Sequence, residues 1–73
     1  MQLEPVRSSN LRAVGYDEST ELLRIEFLGG DLYEYFEVPE GIYRGLMSAR
    51  SHGRFFSSTI RGKYSYRRVV RRV

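Results

Sequence analysis

The stretch Glu21–Val38, which reads ELLRIEFLGGDLYEYFEV, decides the fold of this chain. In its first part Leu23, Ile25 and Phe27 stand two residues apart, which is the period of a β-strand. The pair Gly29-Gly30 follows and supplies positions that accept a positive φ, as a tight turn between strands requires. The alternation then resumes to the end of the stretch. This pattern predicts a β-hairpin.

The second strand of the hairpin allows two interpretations of its tyrosines. If Leu32, Phe36 and Val38 form the core face, Tyr33 and Tyr35 point away from the core. Two residues on one face of a strand lie about 7 Å apart, which suits stacking on successive bases or gripping a peptide. The alternative is that both tyrosines pack beneath a helix with their hydroxyls at the rim, and the small size of the domain slightly favours this packing.

The rest of the chain completes a small α+β domain. Residues 11–16 predict a further strand, and an apolar stripe after Pro39 predicts a helix that ends at Gly53. Residues 54–62 predict a second short helix or turn that plugs the core, and residues 64–66 a last strand. The order β-β-β-α-(α)-β predicts a small antiparallel sheet with one or two short helices packed on one face.

Length and composition narrow the class of protein. The chain has 73 residues and no cysteine, so we expect one domain over residues 1–66, a basic C-terminal tail over residues 67–73, and no disulfide framework. The N-terminus lacks the features of a signal peptide, and no apolar run is long enough to span a membrane. We therefore expect a cytoplasmic protein.

Charge is divided unevenly along the chain. Residues 1–40 carry nine acids and three arginines, whereas residues 41–73 carry nine bases and no acid. The C-terminal bases and the tyrosines among them form the set Arg61, Lys63, Tyr64, Tyr66, Arg67, Arg68, Arg71 and Arg72. Arginine interleaved with aromatic residues is typical of a nucleic-acid surface. Two alternatives remain: a solvated tail, or a basic last strand that pairs with acidic strands across the sheet.

The acids of the hairpin favour a protein partner over a nucleic acid. Glu26, Asp31, Glu34 and Glu37 lie on or near the hairpin and would repel a phosphate backbone. A surface with separate acidic and basic regions can instead steer a complementary protein and fix its orientation.

Catalysis and metal binding find little support in the sequence. His52 is the single histidine, and its neighbour Ser51 does not share a helix face with it. We interpret His52 as a residue at the C-terminal end of a helix, where a cation is favoured. We expect no catalytic residue, no metal, no cofactor and no small-molecule substrate, and hence no enzyme.

An ordered set of residues resembles the KTSC domain, a family named for the C-terminal domain of some lysyl-tRNA synthetases. The set comprises Ser8-Ser9, Gly15-Tyr16-Asp17, Leu23-x-Ile25-x-Phe27, Gly30, Tyr33-Glu34-Tyr35, Val38-Pro39, Tyr43, Leu46, Ala49-x-Ser51-x-Gly53, Phe55-Phe56, Ile60-Arg61 and Tyr64. The resemblance covers roughly residues 6–66, without an attached synthetase.

The resemblance and the charge pattern lead to two hypotheses. The first is a small phage-type transcription regulator that binds host RNA polymerase and alters initiation or termination; a phage protein would act in the bacterial host cytoplasm. The second is an RNA-binding module, which the synthetase context of the family implies. Both use the C-terminal set of bases and tyrosines, and the RNA module adds Tyr33 and Tyr35 as stacking residues.

Overall fold

A computed structural model describes residues 2–69, which form one antiparallel sheet covered by helices. The strands are β1 (Glu4–Pro5), β2 (Leu11–Asp17), β3 (Leu22–Phe27), β4 (Leu32–Tyr35) and β5 (Tyr66–Val69); the helices are α1 (Glu40–Ser48) and α2 (His52–Phe55), and α2 continues into a π-helical turn (Phe56–Ile60). Each strand pairs with the next one along the chain, so that β1 and β5 are the two edges. The predicted α+β fold is confirmed, with the short lead-in strand β1 added at one edge.

The hairpin of β3 and β4 sets the orientation of the tyrosines. Gly30 closes its turn with φ 99°, and the register places Ile25 opposite Tyr33 and Leu23 opposite Tyr35. Partners across an antiparallel pair share a face, and Leu23 and Ile25 are fully buried. The tyrosines therefore lie on the core face. The packing that the small size of the domain favoured is confirmed, and the alternative that they point away from the core is wrong.

The error arises at the end of β4, where the alternation stops. Glu37 adopts φ 57°, a left-handed conformation that interrupts the extended backbone. The chain turns there, so that Val38 enters the core while Phe36 stays 37% exposed. Leu32 is buried on the opposite face of the sheet, beside Glu34. The three apolar residues that the sequence placed on one face thus have three different environments.

The core lies between one face of the sheet and the helices. It consists of Leu11, Val14, Leu23, Ile25, Tyr35, Val38, Leu46, Phe56 and Ile60. Phe56 and Ile60 come from the π-helical turn, which confirms that the segment after α1 supplies apolar residues that plug the core. Leu46 is the buried residue of α1.

The helical region differs from its prediction in one respect. A helix does begin after Pro39, but α1 ends at Ser48 because Ala49 is extended (φ −68°, ψ 144°). Ser51 then caps α2 by accepting a hydrogen bond from the Arg54 amide at 3.2 Å, so Gly53 lies inside α2 rather than at a helix end. His52 begins α2, and its Nδ1 donates to the Leu46 carbonyl at 2.7 Å. The imidazole thus meets the C-terminal end of α1 from outside that helix.

The last strand lies further along the chain than the sequence predicts. It begins at Tyr66 and continues through Val69, with Arg67 opposite Glu34 and Arg68 opposite Tyr33. Arg67 and Arg68 are therefore part of the sheet, although the sequence placed them in a basic tail. Arg71 and Arg72 lie outside the described residues.

Within residues 2–69, no helix combines the length and the apolar character that crossing a membrane would require.

The contact between α1 and α2 depends on the absence of a side chain at Gly45. A Cβ built at Gly45 would lie 2.7 Å from the Cζ of Phe55, whereas a Cβ at Gly41 would meet no atom within 4 Å. We expect Gly45→Ala to lower the free energy of unfolding by about 1–2 kcal/mol, because overpacking outweighs the gain in helix propensity. Gly41→Ala, the matched control in the same helix, should raise it by about 0.5–1 kcal/mol. Urea unfolding, monitored by circular dichroism, measures both changes in the free energy of unfolding. Changes of the same sign in the two variants would contradict this packing.

Candidate binding cleft

A cleft of about 490 Å³ opens where the sheet meets the end of the π-helical turn. Its lining residues are Asn10, Phe27, Asp31, Tyr33, Tyr35, Phe56, Arg61, Gly62 and Tyr66. We call this site the aromatic cleft. It brings together four of the residues that the sequence singled out, namely Tyr33, Tyr35, Tyr66 and Arg61.

The three tyrosines of the aromatic cleft differ in exposure. The rings of Tyr33 and Tyr35 are 6.4 Å apart with an interplanar angle of 21°. Tyr66 lies 5.6 Å from Tyr33 and 5.7 Å from Tyr35. Tyr35 is buried, Tyr33 is half-buried and Tyr66 is 59% exposed. Tyr35 therefore forms the floor, while Tyr66 presents an open ring to a planar ligand.

Phe27 and Phe56 hold these rings in place from below. Phe56 contacts Tyr35 edge-on at 5.6 Å and Phe27 at 5.3 Å, and Phe27 meets Tyr33 edge-on at 5.6 Å. Edge-to-face contacts at these separations are favourable for aromatic pairs. The half-buried and buried rings thus have fixed orientations before any ligand binds, which lowers the entropy cost of binding.

The hydroxyl of Tyr35 stays protonated. The pKa of Tyr35 is raised to about 12, chiefly by burial and also by the nearby Tyr33 and Tyr66, while Arg61 opposes the rise. Within residues 2–69 this hydroxyl has no hydrogen-bond partner. It can therefore act as a neutral donor to a ligand or to water at any physiological pH.

The opposite face of the sheet carries a buried carboxylate with two arginines. Glu34 is 2% exposed; it forms ion pairs with Arg24 of β3 and with Arg67 of β5, the latter at 2.5 Å. The hydrogen bonds from Arg67 and Arg24 hold the pKa of Glu34 below its ordinary value although burial opposes this. At the end of the hairpin, Arg68 Nη2 pairs with Asp31 Oδ1 at 3.0 Å. The predicted pairing of acidic strands with the basic last strand is confirmed.

The pairing separates the predicted cations into two groups. Arg67 and Arg68 bind carboxylates of the hairpin, whereas Arg61 and Lys63 are exposed and have no ion pair with another described residue. Arg61 lines the aromatic cleft, and Lys63 lies in the turn beside it. Tyr64 is half-buried and packs against the core.

Five lining residues escaped the sequence analysis as site residues: Asn10, Phe27, Asp31, Phe56 and Gly62. The sequence did place the segment that contains Phe56 in the core, but that pattern did not show that these residues meet at one cleft. A signal was present in the hairpin register. With a three-residue turn over residues 28–30, Arg24 lies opposite Glu34, and this pair of opposite charges requires that Tyr33 and Tyr35 share a face with Ile25 and Leu23.

The residues considered for catalysis have separate partners. Ser51 Oγ accepts from the Arg54 amide, and the ring of His52 bonds the Leu46 carbonyl, so the two side chains do not form a nucleophile and base pair. Among residues 2–69 there is also no group of three histidine or acidic side chains that could hold a metal ion.

Comparison with known proteins shows the family of this chain. Residues 7–64 match the KTSC domain. The chain belongs to the KTSC domain family. The resemblance found in the sequence is thus confirmed.

Solved and sequenced relatives show the domain in two settings. The crystal structure of a KTSC domain protein from Yersinia pestis superposes with a TM-score of 0.90 at 41% identity, covering 94% of this chain and 97% of that one. A protein of Tsukamurella paurometabola is 37% identical over 62 residues, which is 85% of this chain and 92% of that protein. A lysine–tRNA ligase of Nostoc punctiforme is 36% identical over 61 residues, which is 84% of this chain but 11% of the ligase. The KTSC domain is therefore almost the whole of some small proteins and a small part of some ligases.

Stability should depend on pH through Glu34. Because its pKa in the folded protein lies below its ordinary value of 4.5, the stabilisation is present above that value and is lost as the pH falls through the folded pKa. We expect the free energy of unfolding, measured with urea at a series of pH values, to show this loss in the native protein. In Glu34→Gln the free energy of unfolding should depend less on pH. At pH 7 the variant should lose about 1–2 kcal/mol, because a buried charge-assisted bond is weakened.

Glu40→Gln is the matched control for this measurement. Its ion pair with Arg44 is exposed on α1, and such a pair contributes about 0.3–0.5 kcal/mol. An equal loss in the free energy of unfolding of both variants would contradict a larger contribution of the buried carboxylate to stability.

Proposed function

We propose that this KTSC domain is a non-catalytic binding module whose aromatic cleft takes an unpaired base of single-stranded RNA. The observation that supports this most directly is the arrangement of Tyr66, Tyr33 and Arg61. An exposed ring beside a half-buried ring offers a stacking surface, and an unpaired guanidinium at the rim offers a phosphate contact.

The charges around the aromatic cleft support RNA as the partner. The sequence favoured a protein partner because the acids of the hairpin would repel phosphate. Glu34 is buried on the far face of the sheet, and Asp31, which lines the cleft, is paired with Arg68. The acids Asp17, Glu18 and Glu40 line a separate depression with Tyr16 and Tyr43. The repulsion that argued against RNA is therefore weak at the aromatic cleft.

The relatives support the same ligand class. The name of the Nostoc punctiforme ligase states that it acts with tRNA, and its matching part is this domain. A module that binds RNA would be useful in that setting.

Replacing Tyr66 should weaken RNA binding and leave the fold intact. Base stacking on one aromatic ring contributes about 1–3 kcal/mol, so we expect Tyr66→Ala to lower the affinity for oligouridylate about 5- to 150-fold at low salt. Phe36→Ala, which removes a partly exposed ring outside the cleft, should bind like the native protein. An NMR titration measures both. The absence of any shift in the native protein at low salt would overturn the proposal.

A protein partner is the second candidate, and the edge strand favours it. Among residues 2–69, β5 pairs with β4 alone, and its other side offers backbone groups to a partner strand. Host RNA polymerase is the partner we would test, by affinity capture with nuclease present. Recovery of a polymerase subunit by the native protein but not by Tyr66→Ala, together with no RNA binding, would establish this regulator in place of the RNA module.

A further inference from the structure

Two shallow depressions each share lining residues with the aromatic cleft. The first is lined by Ser9, Asn10, Ser51, Gly53, Arg54, Ser57 and Ser58 and shares Asn10 with the cleft. The second is lined by Gly62, Lys63, Tyr64, Ser65 and Tyr66 and shares Gly62 and Tyr66 with the cleft. The three sites are therefore neighbours on the surface, and we call them together the three-part groove.

Each part of the groove carries one exposed cation. Arg54 lies in the first depression, Arg61 in the aromatic cleft and Lys63 in the second depression. None of these three has an ion pair with another residue of the described chain. The one acid in the lining is Asp31, which Arg68 neutralises. Cations at successive points along a path complement a chain of negative charges rather than a single anion.

The polar lining also suits a sugar–phosphate backbone. Four serines line the first depression, and serine hydroxyls commonly bond phosphate and sugar oxygens. Asn10 lies at the junction with the aromatic cleft, and its side-chain amide has no hydrogen-bond partner among residues 2–69. An amide can donate to and accept from the edge of a base.

We propose that a single RNA strand runs along the three-part groove, with one nucleotide in each part and the base of the central nucleotide in the aromatic cleft. This inference rests on the proposed function and extends it to a site size and a path. The phosphates flanking the central base lie near Arg54 and Lys63. A double helix does not fit this arrangement, because its bases are paired and stacked and cannot enter the cleft.

A length series of oligouridylates tests the path. We expect the affinity of the native protein, measured by titration calorimetry at low salt, to rise steeply from one to three or four nucleotides. Beyond that length it should rise only slightly, as the number of overlapping sites grows. Double-stranded RNA of the same length should bind more weakly.

Variants at the two ends of the groove locate the strand. With a four-nucleotide RNA, Arg54→Ala and Lys63→Ala should each lower the affinity and reduce the slope of log K against log salt by about 0.7. Binding of uridine, which carries no phosphate, should stay unchanged in both. Arg50→Ala is the matched control, because Arg50 is exposed and lies outside the groove; it should leave the affinity and the slope unchanged.

The outcomes separate this inference from the proposed function. If the affinity does not grow beyond a mononucleotide, or if Arg50→Ala has the same effect as Arg54→Ala, the three-part groove is wrong while the aromatic cleft remains. If no RNA of any length binds at low salt, the proposed function itself fails. Circular dichroism of each variant excludes unfolding as the cause, since all three arginine and lysine side chains are exposed.

Discussion

The carboxylate of Glu34, buried between Arg24 and Arg67, is the interaction on which the edge of the sheet depends. A buried carboxylate without a partner is costly, whereas one held by two guanidinium groups is charged and stable. Arg24 comes from the adjacent strand of the hairpin, but Arg67 comes from β5, 33 residues further along the chain. The carboxylate therefore links the last strand to the hairpin. This link also holds Tyr66 beside Tyr33 and Tyr35, because Tyr66 precedes Arg67 on the same strand and faces the other way.

β4 thus separates two chemical environments by simple alternation. Glu34 and Leu32 face the side of the ion pairs, and Tyr33 and Tyr35 face the core and the cleft. The Tyr-Glu-Tyr sequence of this strand serves both faces at once: its tyrosines form the wall and the floor of the cleft, and its glutamate secures the neighbouring strand.

Much of the fold could be predicted from the sequence because its signals are local. The glycine turn and the period-2 pattern of β3 predict the hairpin, and Pro39 with the apolar stripe predicts α1. The orientation of Tyr33 and Tyr35 could not be predicted from alternation alone, since the positive φ of Glu37 ends the pattern. The end of α1 was missed for a related reason. Ala49 is extended, and nothing in its residue type indicates a helix end.

The aromatic cleft could not be predicted from the composition of the chain. Counting lysines and arginines shows that the C-terminal half is cationic. Only the strand register determines that Arg67 and Arg68 are bound to carboxylates, while Arg61 and Lys63 are available to a ligand. The cleft also joins residues from the loop before β2, the π-helical turn and the last strand. Their sequence separation is large, and no short motif connects them.

The position of β5 has a consequence for how the site assembles. Within residues 2–69 this strand has one neighbouring strand, and its pairing closes a long loop; both features place it at the low-stability end of the domain. Local opening at this edge removes Tyr66 from the cleft while the core of Leu23, Ile25 and Leu46 stays folded. The aromatic cleft is therefore complete only while β5 is docked against β4. A ligand in the cleft binds only the docked state, and so it slows hydrogen exchange of the β5 amides more than that of the central strands.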